Sequence, residues 1–170
     1  MIFHWERSRA ATCLENILPA DFRGTIQCDG YEAYDCFAKR RGKAITLAGC
    51  LAHVRRKFFD AKDTAPKVAG WFLQHFANLY VLEEQLRQTR AGPKLRAVAR
   101  ANLSRPVLAQ LHRALVRLKT KRRFFPQSVM GKAIDYALNQ WPSLHVFLED
   151  GRIEIDNNLV ENAIRPRRRR

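Results

Sequence analysis

The chain is short of carboxylates, short of cysteine and free of long apolar runs. It carries 16 Asp and Glu against 31 Lys and Arg. Four cysteines, Cys13, Cys28, Cys36 and Cys50, are too sparse for a disulfide scaffold. They are expected reduced and mostly buried in a cytoplasmic protein. No window reaches about 18 consecutive apolar residues, so no membrane-spanning helix is expected. The opening Met1-Ile-Phe-His-Trp-Glu-Arg7 lacks the basic-then-apolar order of a secretory signal. There is no glycine-rich phosphate loop, no internal repeat, and no Ser-His-Asp or Cys-His arrangement that residue order alone can fix.

What is present is positive charge. The formal net charge is +15, and Arg167 to Arg170 supply four of these, leaving +11 elsewhere. A polyanionic partner, most simply nucleic acid, fits that balance. An anionic membrane surface or plain solubility are the alternatives. Apolar residues make up 46% of 170 residues, enough for one ordinary core.

Patterning divides the chain. Residues 1 to 6 read as the tail of a strand. Residues 8 to 18 suit a helix, with Ser8 as a cap and Pro19 past its end. Asp21 to Gly24 is a turn, Thr25 to Cys28 a short strand, and Tyr31 to Arg40 a helix. Arg41 to Lys43 turns the chain into a second strand, Ala44 to Leu47, and then a basic helix over 50–62. This βαβα alternation predicts helices packed on a sheet. From Pro66 the period becomes helical. Trp71, Phe72, Phe76, Leu79, Tyr80, Leu82 and Leu86 form one stripe, ended by Gly92-Pro93. A second helix spans Leu95 to Lys121, interrupted near Ser104 and Pro106, with Leu108, Leu111, Leu115 and Leu118 inward. A third starts at Pro126 and stops at Pro142, using Ile134, Ala137, Leu138 and Trp141. Glu149-Asp-Gly151 between apolar stretches reads as a hairpin turn. Asp156-Asn-Asn158 caps a last helix over 159–164.

Two acidic positions stand out against the basic background. Asp29 follows a strand and precedes a glycine, where a carboxylate can hold Mg²⁺ or simply cap the turn. Glu161 opens the last helix, near Asn158, Asn162 and Arg165 by helical period. It could approach Asp29 across the fold, or belong to a solvated acidic turn. A pair of metal ions could activate water at a phosphodiester, although two carboxylates are few for that task. Glu154 and Asp156 are alternative ligands. His53, Arg55, Arg56 and Lys57 cluster on one helix, as phosphate contacts or as a solvated basic face. Cys50 and His53 have zinc-ligand spacing without a second pair, since His75 and His112 stand alone. Arg113, Arg117, Lys119, Lys121, Arg122 and Arg123 form a second basic run ahead of Phe124 and Phe125.

Three ordered segments carry a family resemblance. They are Gly24-Thr-Ile-Gln-Cys-Asp-Gly-Tyr-Glu-Ala-Tyr34, Gly49-Cys-Leu-Ala-His-Val-Arg-Arg-Lys-Phe-Phe-Asp-Ala61 and Ile155-Asp-Asn-Asn-Leu-Val-Glu-Asn-Ala-Ile-Arg-Pro166. Through them the chain resembles the catalytic core of insertion sequence 66 family transposases, of the Asp-Asp-Glu class. The resemblance covers essentially everything up to Pro166. It implies an α/β, RNase H-like fold with a mostly helical insertion before the last catalytic helix. Residues 1–65 would be a partial core, 66–143 the insertion, 144–166 the return with the glutamate helix, and 167–170 a basic tail. Asp29 matches the second catalytic aspartate and Glu161 the glutamate, both as metal ligands. His53, Arg55 and Arg56 match a basic family motif, and Lys57 and Arg165 join them as expected DNA contacts. The implied chemistry is Mg²⁺-dependent cleavage at transposon ends, with Mn²⁺ as a substitute, then strand transfer into target DNA. The implied setting is nucleoid-associated, with DNA and partner subunits.

Two departures shape the expectation. The first catalytic aspartate belongs on a strand upstream of Met1, and neither Asp21 nor Asp35 replaces it. After Pro166 the family continues with a Gly-Arg-Lys-Asn-Trp type segment, where this chain has four arginines. The N-terminal end-recognition region of a full transposase is also unmatched. The expectation is an incomplete RNase H-like fold lacking its first strand, marginally stable and inactive alone. The alternatives are a non-catalytic DNA-binding remnant and a subunit completed by another chain.

Overall fold

A computed structural model of the protein describes residues 10–159 and Glu161. The expected strand over residues 1 to 6, the cap at Ser8, and Asn162 and Arg165 lie outside the described residues. The architecture is mixed and mainly helical, with a small parallel sheet, broadly α/β.

The first part is a short helix followed by a βαβ unit. Helix α1 spans Ala11–Ile17. Strand β1, Gly24–Cys28, leads through α2, Glu32–Arg41, and a 3₁₀ turn, Gly42–Ala44, to β2, Ile45–Gly49. The strands pair in parallel, with Gly24 opposite Ile45 and Cys28 opposite Gly49. Parallel pairing requires a crossover, and α2 supplies it. Glu32 and Asp35 in its first turn and Lys39 to Arg41 in its last both suit the helix dipole. Arg40 Nη1 donates to Glu15 Oε1 at 3.0 Å, tying α2 to α1.

Helix α3, Leu51–Asp60, leaves the end of β2. Its Leu51, Val54 and Phe58 are buried, while Arg55, Arg56 and Lys57 face solvent. Burying each of those apolar side chains contributes roughly 1.5–3 kcal/mol. They open a core that continues through α4, Pro66–Gln88, to α6, Arg105–Thr120, and α7, Val129–Leu144. Phe58 packs on Phe72 with ring centroids 4.4 Å apart and meets Phe76 edge-on at 5.6 Å. The expected stripes turn inward at Phe72, Phe76, Leu79, Leu108, Leu111, Leu115, Ile134 and Ala137, all buried, but Trp71, read in the same stripe, is exposed with its ring lying against Phe72 and His75 at the helix surface.

The interruption expected near Ser104 and Pro106 takes a specific form. Helix α5, Pro93–Ala99, passes into a π-helical turn, Arg100–Ser104, and on into α6 without leaving helical backbone angles. Pro106 has no N–H for the carbonyl four residues back, and the wider turn absorbs that gap. The same widening accompanies a fully buried Arg100.

Most boundaries shift by one or two residues from expectation, and the larger differences lie around α7 and after it. Helix α7 begins at Val129, because Ser128, not Pro126, caps it by accepting from Gly131 N at 3.1 Å. It also runs through Pro142 to Leu144, since a missing N–H near the last turn loses only one helical bond. The hairpin expected around Glu149–Gly151 is absent. Val146–Glu149 is instead a short helix, α8, followed by turns. Arg100 Nη1 takes the carbonyls of Phe147 (2.7 Å), Asp150 (3.2 Å) and Ile153 (2.9 Å), acceptors that a hairpin ladder would draw on.

All four cysteines are free, with Cys28 and Cys50 buried and Cys13 and Cys36 half-buried. Among the described residues no helix is long and apolar enough to cross a membrane.

Candidate functional site

Because β1 and β2 run in parallel, their carboxyl ends share one edge of the sheet. Asp29 follows β1 at that edge. Cys50 and α3 follow β2 there. The acidic turn at 154–158 docks against the same edge. Gln27 Nε2 donates to Glu154 O at 2.7 Å, Leu51 N donates to Ile155 O at 3.1 Å, and Cys50 Sγ donates to Asn157 Oδ1 at 2.9 Å.

Asp29 is half-buried, and its Oδ1 accepts from Tyr31 N at 3.1 Å. That is the Asx turn read as one alternative in the sequence. Gly30 adopts φ +79°, and a Cβ there would fall 2.5 Å from the Gln140 side chain. Glycine therefore lets the turn sit against α7. From the same helix, Tyr136 Oη donates to Asp29 O at 2.7 Å. Burial, and then the Asp29 charge, push the Tyr136 hydroxyl up to about 12, so it stays a neutral donor at ordinary pH. Lys57 lies 5.6 Å above the Tyr136 ring, within cation–π range.

The second carboxylate lies across α3. A helical turn starts at Asn158, and Glu161 N bonds back to Asn157 O at 3.0 Å. Asp156 caps this turn: its Oδ1 accepts from Asn158 N at 3.0 Å and its Oδ2 from Asn158 Nδ2 at 2.8 Å. Tyr80 Oη, from α4, donates to the same Oδ2 at 2.8 Å. Burial, and then the Asp156 charge, push the Tyr80 hydroxyl far above its ordinary value. Glu161 Oε1 lies 3.8 Å from His53 Nε2, and the other ring nitrogen of His53 is buried without a hydrogen-bond partner among the described residues. His53, Arg55, Arg56, Asn158 and Glu161 line one cleft of about 190 Å³. Arg55 and Arg56 are exposed beside it.

Glu154, an alternative ligand in the sequence, is otherwise engaged. Arg96 Nη1 donates to it at 2.8 Å, and Arg87 approaches at 3.5 Å. Arg96 also reaches Glu83 at 3.0 Å, and Arg100 holds both Glu83 oxygens at 2.7 Å. Burial would raise the Glu83 pKa, but hydrogen bonds and charge from Arg100 and Arg96 outweigh it and hold the carboxyl below its ordinary value. This fully buried pair anchors the return segment that carries the acidic turn.

The structure therefore joins Glu161 with His53, Arg55 and Arg56, and places Asp29 on the same sheet edge. It turns Lys57 toward Tyr136. The residues missed in the sequence are Tyr80, Tyr136, Glu83, Arg96 and Arg100. An arginine pair four apart on one helix was the available signal for the last two. The carboxylate oxygens of Asp29 and Glu161 are of the hard type that suits a hard cation. Among the described residues, however, no group of three His, Cys, Asp or Glu side chains could hold a metal ion, Cys50 and His53 included.

Comparison with known proteins places the chain in a class. Residues 1–169 match the Transposase IS66 family. The chain belongs to that family. It is 40% identical over 166 residues to y4jD, an uncharacterised protein of Sinorhizobium fredii (strain NBRC 101917 / NGR234), covering 95% of this chain and 32% of that protein. It is 39% identical over 170 residues to y4qI of the same strain, covering 96% and 31%. The chain thus spans about a third of the length of these curated relatives. No solved structure matches it.

Proposed function

We propose that this chain carries two of the three carboxylates of an Asp-Asp-Glu transposase site, Asp29 and Glu161, on an RNase H-like core. The observation that carries the reading is the meeting of Glu161 with His53, Arg55 and Arg56 at the sheet edge where Asp29 also lies. An acidic pair set in a basic surround suits a metal ion and a phosphate backbone together. Mg²⁺ would be held by Asp29 and Glu161 with a further ligand, and would supply charge stabilisation for DNA strand cleavage and transfer. Arg55, Arg56, Lys57 and Arg165 would bind the DNA backbone. His53 would orient Glu161. Tyr136 and Asp156 would fix the two turns.

The chain alone is proposed to bind DNA without cutting it. Cleavage would then require the longer protein, or a second chain that completes the site.

The test is Mg²⁺-dependent nicking of insertion-end DNA by a full-length family transposase carrying this segment. Asp29→Asn and Glu161→Gln are each expected to abolish nicking while DNA binding persists. Nicking that survives both changes would sink the carboxylate assignment. Nicking by the 170-residue chain itself would sink the incomplete-site reading.

A further inference from the structure

The outward face of α6 and the corner after it form a second surface, separate from the carboxylate edge. Leu108, Leu111 and Leu115 turn α6 inward. Arg113, Arg117 and Lys121 stand exposed at four-residue spacing on its other side, about 6 Å apart along the axis. Among the described residues none of the three is in an ion pair, whereas the neighbouring Lys119 is held by Asp135 at 2.6 Å. A groove of about 440 Å³ runs between His112, Arg113, Val116, Arg117, Thr120 and Lys121.

Four residues after Lys121 the chain presents an exposed aromatic. Phe125 is 85% exposed, the most exposed large apolar side chain of the described residues. Its backbone is nevertheless fixed. The Phe125 carbonyl accepts from Ser128 N at 3.0 Å and from Ser128 Oγ at 2.6 Å. Gly131 lies so close that a Cβ there would sit 2.1 Å from that carbonyl. The ring is therefore presented from a held turn. Beside it a cleft of about 530 Å³ is walled by Leu118, Phe124, Pro126 and Ile134, with Lys119 and Arg122 at its rim.

A row of cations with no ion pair among the described residues, followed in the chain by a fixed, exposed ring beside an apolar cleft, matches one ligand chemistry well. Phosphates follow the cations, and an unstacked base lies on the ring. A fully paired duplex offers the phosphates but no free base face. We propose that this surface binds single-stranded or locally opened DNA. The backbone lies along Arg113, Arg117 and Lys121, and one base stacks on Phe125. The surface does not depend on the assignment of Asp29 and Glu161.

The experiment measures binding of the 170-residue chain to a fluorescent oligothymidylate and to a duplex of equal length, at several salt concentrations. Phe125→Ala is expected to weaken oligothymidylate binding about ten-fold and leave duplex binding unchanged. Phe125→Trp should retain it. Arg113→Gln with Arg117→Gln should lower the salt slope for the single strand by about 0.7 per lost contact. Circular dichroism of each variant verifies folding. Unchanged oligothymidylate binding by a folded Phe125→Ala chain overturns the proposal. So does an equal loss on duplex. A wild-type chain that self-associates through Phe125, and becomes monomeric in the alanine variant without losing DNA, would identify the surface as a contact between copies instead.

Discussion

The strand pair and the helical part of this protein are held by different means. The main apolar cluster begins at Leu51 and ends at Ile155, and it draws nothing from α1, β1, α2 or β2. The βαβ unit contributes smaller burial, chiefly Cys28, Phe37, Ile45 and Ala48. Two strands alone are marginal in water. Here they gain from α7 and from the acidic turn across their carboxyl ends. Asp29 thus sits on the less buried part and is steadied by Tyr136 of the more buried part, whereas Glu161 follows Ile155 and meets α3 on the buried part itself. Rigidity in one region places chemistry in the other.

The sharpest way to break this comparison is at the buried ion pair. Glu83→Ala leaves Arg100 fully buried with its charge uncompensated, and is expected to cost about 3–5 kcal/mol by denaturant titration. Because the folded Glu83 pKa is lowered, its stabilisation is full above the unfolded value near 4.3 and fades as pH falls. Acid unfolding should therefore be less steep in the variant. A loss below 1 kcal/mol would show that the return segment is not held from Glu83.

Next in size is the aromatic cluster. Phe58→Ala empties a fully buried site facing Phe72 and Phe76, and should cost about 3–5 kcal/mol. Ile26→Ala, on the half-buried β1, should cost clearly less, about 1–2 kcal/mol. Equal losses would remove the contrast between the two regions. Hydrogen exchange sharpens it: amides of Ile26 and Gln27 should exchange before those of Leu111 and Leu115. The sequence predicts marginal stability, and full protection of β1 at the global limit would contradict it. An effect smaller than that of Phe58→Ala is expected of Tyr80→Phe. It removes a hydrogen bond to the Asp156 carboxylate, and about 1.5–3 kcal/mol with it.

The alternation of the first part and the helical stripes of the second were readable because each has a clean period. Thr25–Cys28, Phe72–Phe76 and Leu108–Leu115 fall where the pattern puts them. The loop at 146–155 was misread for a physical reason. Two apolar stretches around Asp150-Gly151 carry hairpin chemistry locally, but Arg100, some fifty residues earlier, captures their carbonyls. A charged side chain in a helix reads as surface unless its buried partner is known, and Glu83 is seventeen residues away. The acids and bases of the candidate site stand in short motifs of the sequence, at Asp29, His53 and Glu161. Its supports do not: Tyr80 and Tyr136 look like stripe residues, and only the fold shows that their hydroxyls reach Asp156 and Asp29.

The smallest predicted effect tests that support directly. Tyr136→Phe keeps the ring under Lys57 and removes only the bond to the Asp29 carbonyl, so about 0.5–1.5 kcal/mol should be lost at neutral pH. The pH dependence separates this from a packing defect. The folded Tyr136 pKa is raised to about 12, above the unfolded value near 10. Its contribution is therefore complete below pH 10 and disappears as pH rises toward 12. Tyr80 titrates in the same direction but remains in both proteins, so their difference isolates Tyr136. Stability curves of the two should converge across that interval. Curves that stay parallel would mean that the hydroxyl is not buried beside Asp29, leaving the strand end to be fixed by the Asx bond and Gly30 alone.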